Sequence, residues 1–181
     1  MMSTLKIPKN ANFKGAVRKA EETLEENLIC DPPVNVYELA SNYGVSVLHK
    51  PFPDEIRDIS GFIVFDTREI YVNAADSLHR RRFTVAHELG HWLLHETYLR
   101  ENPELGILAR RPLGRKDDNP LEQEANCFAA NLLAPERMLA RYKEENPNLV
   151  AEIFGVSPDV IGYRLKSVRL QNRDGWGDGI R

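Results

Sequence analysis

The sequence predicts an α+β domain: a small antiparallel sheet of about three strands beside a long helix, with helical N- and C-terminal parts. Two observations carry that expectation. The apolar period is helical before residue 45, turns strand-like over 45–73, and is helical again to residue 170. The strand signals also sit in one block, where a doubly wound parallel sheet needs strands and helices in alternation.

The elements follow in order. Ala16, Val17, Ala20, Leu24 and Leu28 form one stripe over residues 14–29, so a helix is expected there, stopped by Asp31-Pro32-Pro33. A short helix begins at Asn35, with Glu38 completing an Asx capping box, and ends at Tyr43-Gly44. Val45–His49, Gly61–Phe65 and Ile70–Asn73 read as strands, the last two joined through Asp66-Thr67-Arg68. Asp76 or Ser77 caps a long helix running through His95. Residues 99–118 carry glycine and proline breaks and mixed charge, and read as a surface loop. Asn119-Pro120, with Glu122 at N3, opens a helix to Leu133, and Pro135 opens another. Residues 149–154 and 158–170 form a helix pair about Gly155-Val156-Ser157, and the polar tail 171–181 is expected to be mobile. In domain terms this is an N-terminal helix and arm over 1–30, a main domain over 31–170 and the tail.

Composition limits the function classes. The 181 residues hold 24 Lys+Arg against 27 Asp+Glu, a net charge of −3, so no global field draws nucleic acid or anionic membrane. Cys30 and Cys127 form no CxxC pair and no disulfide framework. The N-terminal residues lack the apolar core of a secretory signal, and no window approaches the run of about 18 apolar residues a membrane span needs. A cytoplasmic protein is the expectation. The compositional oddity is histidine: three of the five lie between residues 87 and 95.

Those three sit in His87-Glu88-Leu89-Gly90-His91-Trp92-Leu93-Leu94-His95, which contains an HExxH motif. Two histidines at i and i+4 share one helix face and can hold one metal ion. Glu88 is rotated by about 100° from His87, beside that ion, where it can take a proton from an activated water. The alternative, an exposed face that happens to carry histidines, fits poorly with the apolar residues on both sides. Metal ligation by His95 would follow a different spacing from HExxHxxGxxH, since Leu94 and Thr97 stand at the positions of its glycine and last histidine. His95 is therefore read as a hydrogen-bond partner of a ligating side chain, a loop anchor or a satisfied polar group, and Asn126 as a hydrogen-bond partner of a ligating group. A third ligand is sought in Glu122-Gln123-Glu124-Ala125-Asn126. Glu122 is read as the N3 capping residue, and Glu124, beside the small apolar face, is preferred as the ligand.

Arg82 through His95, Glu124-Ala125-Asn126, Leu132 through Pro135, and the strand segments Ile59–Phe62 and Ile70–Asn73 together resemble the ImmA/IrrE family of metallopeptidase-like proteins. The resemblance covers residues 30–170. It implies a zincin-like domain of gluzincin type, with metal ligands His87, His91 and Glu124 and catalytic Glu88. It implies Zn2+ as the cofactor, with Mn2+ as the other candidate, and a protein substrate, commonly a helix-turn-helix transcriptional regulator in mobile-element, stress-response or toxin–antitoxin settings. His95, Tyr98 and the arginines of residues 99–118 are the candidates for stabilising the oxyanion. Either strand 61–65 or strand 70–73 is a candidate to receive an extended substrate by strand addition, or serves only the core.

Two other functions compete. Residues 148–169 imitate a DNA-reading helix-turn-helix through Ala151, Gly155 and Ile161, with Arg164, Lys166 and Arg169 available for phosphate. Gly162 and the acidic net charge argue against it. A non-catalytic module that binds a regulator without cutting it is the remaining alternative. The Arg80-Arg81-Arg82 run reads as a solvated face or as a contact for an acidic substrate segment.

Overall fold

In a computed structural model that describes residues 8–102 and 119–173, with side chains to residue 166, helix α1 (Phe13–Glu26) starts under the side chain of Asn12, which accepts from Gly15 N. Its end differs from the expectation. Leu28 takes a left-handed φ of 54° and is 87% exposed, so the helix stops before the prolines and Leu28 leaves the apolar stripe. Helix α2 (Val36–Asn42) starts at Asn35 with the anticipated reciprocal bonds to Glu38, and Gly44 turns the chain at φ +71°.

Strands β1 (Ser46–Lys50), β2 (Gly61–Val64) and β3 (Glu69–Asn73) form one sheet in the order β1-β3-β2. The β2–β3 hairpin is antiparallel, pairing Phe62 with Tyr71. β1 joins the other side of β3 in parallel, pairing Leu48 with Tyr71, so the sheet is mixed and not wholly antiparallel as predicted. The ten residues between β1 and β2 carry the chain past β3 to the far edge, which leaves β3 central and β2 an edge strand among the described residues. Ile63, Ile70 and Val72 face inward.

Helix α3 (Leu78–Glu101) is capped by Ser77 and lies against that sheet. It runs past His95 through residues expected to be loop. Arg100 holds its last turn to the β2–β3 turn by donating to Asp66 and Phe65 O. The rest of the expected loop, 103–118, lies outside the described residues, as does the tail from 174; residues 171–173 continue the last helix.

Helix α4 (Pro120–Leu133) begins at Asn119, whose side chain accepts from Leu121 N. It packs closely on α3: a Cβ on Gly90 would stand 3.0 Å from Phe128 Cδ1 and 3.3 Å from Ala125 Cα. Glycine at 90 therefore sets the helix separation. The short helix α5 (Glu136–Leu139) leads to α6 (Pro147–Phe154) and α7 (Pro158–Arg173), which enclose Val150, Phe154 and Ile161. The arginine run resolves into structure. Arg82 donates to Gly155 O and Val34 O, and Arg80 donates to Ser60 Oγ and forms an ion pair with Asp76. Neither the solvated face nor a substrate contact describes Arg82. Among the described residues no helix is long and apolar enough to cross a membrane.

Candidate metal centre

One turn of α3 separates His87 from His91, and both imidazoles point at α4, where they are 2% exposed. Their Nε2 atoms lie 3.1 Å apart. The carboxylate that meets them is that of Glu122, with Oε2 3.2 Å from His87 Nε2 and Oε1 3.0 Å from His91 Nε2. Among the described residues, His87, His91 and Glu122 are thus the three whose donor atoms converge on one point.

This corrects the reading of α4. Glu124, preferred from sequence, is turned aside: its Oε2 lies 2.9 Å from His95 Nε2, and its Oε1 accepts from Asn12 N at 2.7 Å. The premise that a buried carboxylate there needs a partner was sound, but the partner is His95. Glu122 leaves the capping to Asn119 and turns inward. Spacing explains the difference. Glu122 and Asn126 are i and i+4 on one face, and Asn126 Oδ1 is 3.0 Å from His87 Nδ1. Choosing Asn126 as a partner of a ligating histidine points to Glu122, because Glu124 lies some 200° around the helix from its neighbour at 122.

The arrangement fits a small cation. Donors at about 2.0–2.1 Å in a tetrahedral shell lie roughly 3.3 Å apart, close to the separations here. Glu122 Oε1 is buried with no hydrogen bond of proper direction, despite its proximity to His91. Asn126 accepts the Nδ1 proton of His87 and leaves its Nε2 a lone pair. Two lone-pair nitrogens and a carboxylate facing one another at hydrogen-bond range repel unless a proton or a cation lies between them. In the protein alone that pull is visible: burial disfavours charge on His87, but the hydrogen bond and field of Glu122 outweigh it and raise its pKa. Burial would raise Glu122; His87 and His91 instead hold it far below the usual carboxylate range.

Glu88 sits one residue round the helix, 8% exposed, and accepts a hydrogen bond from the Ile63 backbone on β2. Burial pushes its pKa up, against the fields of His87 and His91. A raised carboxylate beside a cation site suits a group that must both take and return a proton. His95 is 4% exposed, and burial together with His91 pushes its pKa down to about 4, so it is neutral near pH 7. Enclosed between His91 and Glu124, His95 has no face left for an oxyanion, and Arg100 is committed to the hairpin turn. The remaining arginine candidates, Arg110, Arg111 and Arg115, lie outside the described residues.

The IrrE N-terminal-like domain, a peptidase family, matches residues 40–166. The chain belongs to the ImmA/IrrE family. Among ImmA/IrrE relatives, the chain is 36% identical to an uncharacterized immunity region protein 2 of Bacillus phage phi105, over 70% of this chain and 76% of that protein. It is 27% identical to the metallopeptidase ImmA of Bacillus subtilis, over 74% and 76% respectively. A Mycobacterium tuberculosis transcriptional regulator shares the fold, with a TM-score of 0.59 at 21% identity, over 83% of this chain. The chain spans 46% of that larger protein. Helix α1 falls outside the segment matched by the ImmA/IrrE domain, although it packs along α4.

The helix-turn-helix alternative meets a structural obstacle. Arg164, one of its three phosphate candidates, is 3% exposed and donates through Nε to Ala134 O. It ties α7 to the end of α4 and is not presented to a ligand.

Proposed function

We propose that this protein is a zinc-dependent endopeptidase that cuts a protein substrate, with His87, His91 and Glu122 as metal ligands and Glu88 as the catalytic base. The observation that carries the reading is the junction of the three-donor cluster, buried Glu88 and the outer edge of β2 at one place. When bound, zinc supplies Lewis-acid polarisation of the scissile carbonyl and acidifies the attacking water. Manganese is the alternative ion.

Glu88 takes the proton of that water on its carboxylate and returns it to the leaving amine, which releases the new N-terminus and restores the carboxylate. Asn126 fixes the ring of His87 throughout. The edge strand is β2, since β3 is paired on both sides. Phe62 and Val64 hydrogen-bond toward β3, which turns the backbone of Gly61 and Ile63 outward. An extended substrate added to that edge is delivered beside Glu88.

The names of the relatives, an immunity region protein of a phage and a metallopeptidase, support a transcriptional regulator of a mobile element as the substrate. A helix-turn-helix regulator encoded beside the gene is the substrate to test. Purified wild type should bind one zinc and cleave it, His87→Ala should bind none, and Glu88→Gln should bind zinc without cleaving. Cleavage by Glu88→Gln at the wild-type rate would sink the peptidase reading, and a wild type that takes up no zinc would sink the metal site.

A further inference from the structure

We propose that Glu124 and His95 form a positioning dyad that fixes His91 with its Nε2 free for metal, and that the main chain of Asn12 anchors the dyad. The inference rests on the metallopeptidase reading above.

A neutral imidazole has one N–H and one lone pair, so each contact dictates the next. A carboxylate only accepts; Glu124 Oε2, 2.9 Å from His95 Nε2, therefore places the His95 proton on that nitrogen. His95 Nδ1 is left as an acceptor. The atom 3.0 Å from it is His91 Nδ1, which must carry the proton. His91 Nε2 then keeps its lone pair, directed at the point shared with His87 Nε2 and Glu122. The opposite tautomer of His91 would put a proton where the cation belongs. It would also set two lone pairs against each other at 3.0 Å.

The two ligating histidines thus receive the same instruction by different routes. His87 is fixed by one residue, Asn126. His91 faces the side of α4 where His95, the next i+4 position, intervenes, so its carboxylate acts from one residue further away. Glu124 itself cannot swing, because its second oxygen accepts from Asn12 N at 2.7 Å. The amide belongs to the N-cap of α1, a helix outside the family match, and it links that helix to the metal ligand through three hydrogen bonds. Partners of this kind orient a ligand and raise its basicity.

The test is zinc affinity of the full chain by competition with a chromogenic chelator, for wild type, His95→Ala, Glu124→Ala and the double variant. Circular dichroism of each metal-free protein checks folding. Each single variant should bind zinc about 10- to 100-fold more weakly. The double variant should be no weaker than His95→Ala, because Glu124 acts only through His95. Glu124→Gln, which keeps an acceptor oxygen, should fall between wild type and Glu124→Ala. The visible spectrum of the cobalt-substituted protein should change in His95→Ala.

Wild-type affinity in both single variants, or losses that multiply in the double variant, would overturn the dyad while leaving the metal site intact. Failure of wild type itself to take up zinc would overturn the dyad together with the peptidase reading. If an alanine variant does not fold, Glu124→Gln decides: weaker binding than wild type supports the dyad, and equal binding overturns it.

Discussion

The α3–α4 pair and the α6–α7 pair are both helix packings joined through short-range apolar contacts, yet their interiors differ in kind. Between α3 and α4, and where α3 meets β2, lie six buried titratable groups: His87, Glu88, His91, His95, Glu122 and Glu124. Around α6 and α7 the interior is Val150, Ala151, Phe154, Val156 and Ile161, and the buried charge, Arg164, ends on a carbonyl. Desolvating six ionisable groups is costly unless something binds them together. The second pair is closed by apolar packing and by hydrogen bonds from Arg82 and Arg164. The comparison separates a region built to meet a cation from a region built to close the domain, and substitutions can test each side of it.

The largest effect belongs to Glu88. Glu88→Gln keeps the size of the side chain and removes the proton acceptor, so substrate cleavage should drop about 10²- to 10⁴-fold while bound zinc is unchanged. Metal content and cleavage measured on one preparation check this; a parallel fall in both would make Glu88 part of the metal-holding set.

Next come the two glutamates of α4. Glu122→Ala removes a converging donor and should weaken zinc binding by more than about 100-fold, beyond the range for a group that only orients a ligand. The loss should exceed that in Glu124→Ala. Chelator competition ranks them, and the reverse order would restore Glu124 as the ligand.

Two arginines probe the other side. Arg82→Ala leaves the carbonyls of Gly155 and Val34 without their donor, and Arg164→Ala leaves that of Ala134. Each orphaned acceptor costs about 1–3 kcal/mol, so both variants should be measurably destabilised in urea. Zinc affinity should hold in Arg164→Ala. A loss of metal there would erase the distinction between the two helix pairs.

Much of this was legible in the chain. The period change at residue 45 located the sheet block, caps at Asn35 and Asn119 fixed two helix starts, and a third was narrowed to Asp76 or Ser77, because these are local effects written in adjacent residues. The HExxH pair was legible for the same reason, since one helical turn brings His87 to His91. What escaped depended on distant partners. Asn12 reaches Glu124 across more than a hundred residues, Ile63 meets Glu88 from another element, and Arg82 finds Gly155 at the far end of the domain. Between Glu122 and Glu124 the difference is one of rotation: the carboxylate of Glu124 meets His95, and that of Glu122 meets His87 and His91.

The smallest expected effect lies at Lys166, exposed on α7. If α7 read DNA, Lys166→Ala would weaken duplex binding and lower its salt dependence by about one phosphate contact. Arg164 is turned into the fold, the net charge is −3, and the side chain of Arg169 lies outside the described residues, so Lys166 is the phosphate candidate to test. Wild type and Lys166→Ala should match in stability within about 0.5 kcal/mol, and neither should shift a labelled duplex at 100 mM salt, on the order of physiological ionic strength. A shift in wild type that Lys166→Ala abolishes would give the C-terminal pair a function of its own, and would end the contrast between a chemical and a structural half of the domain.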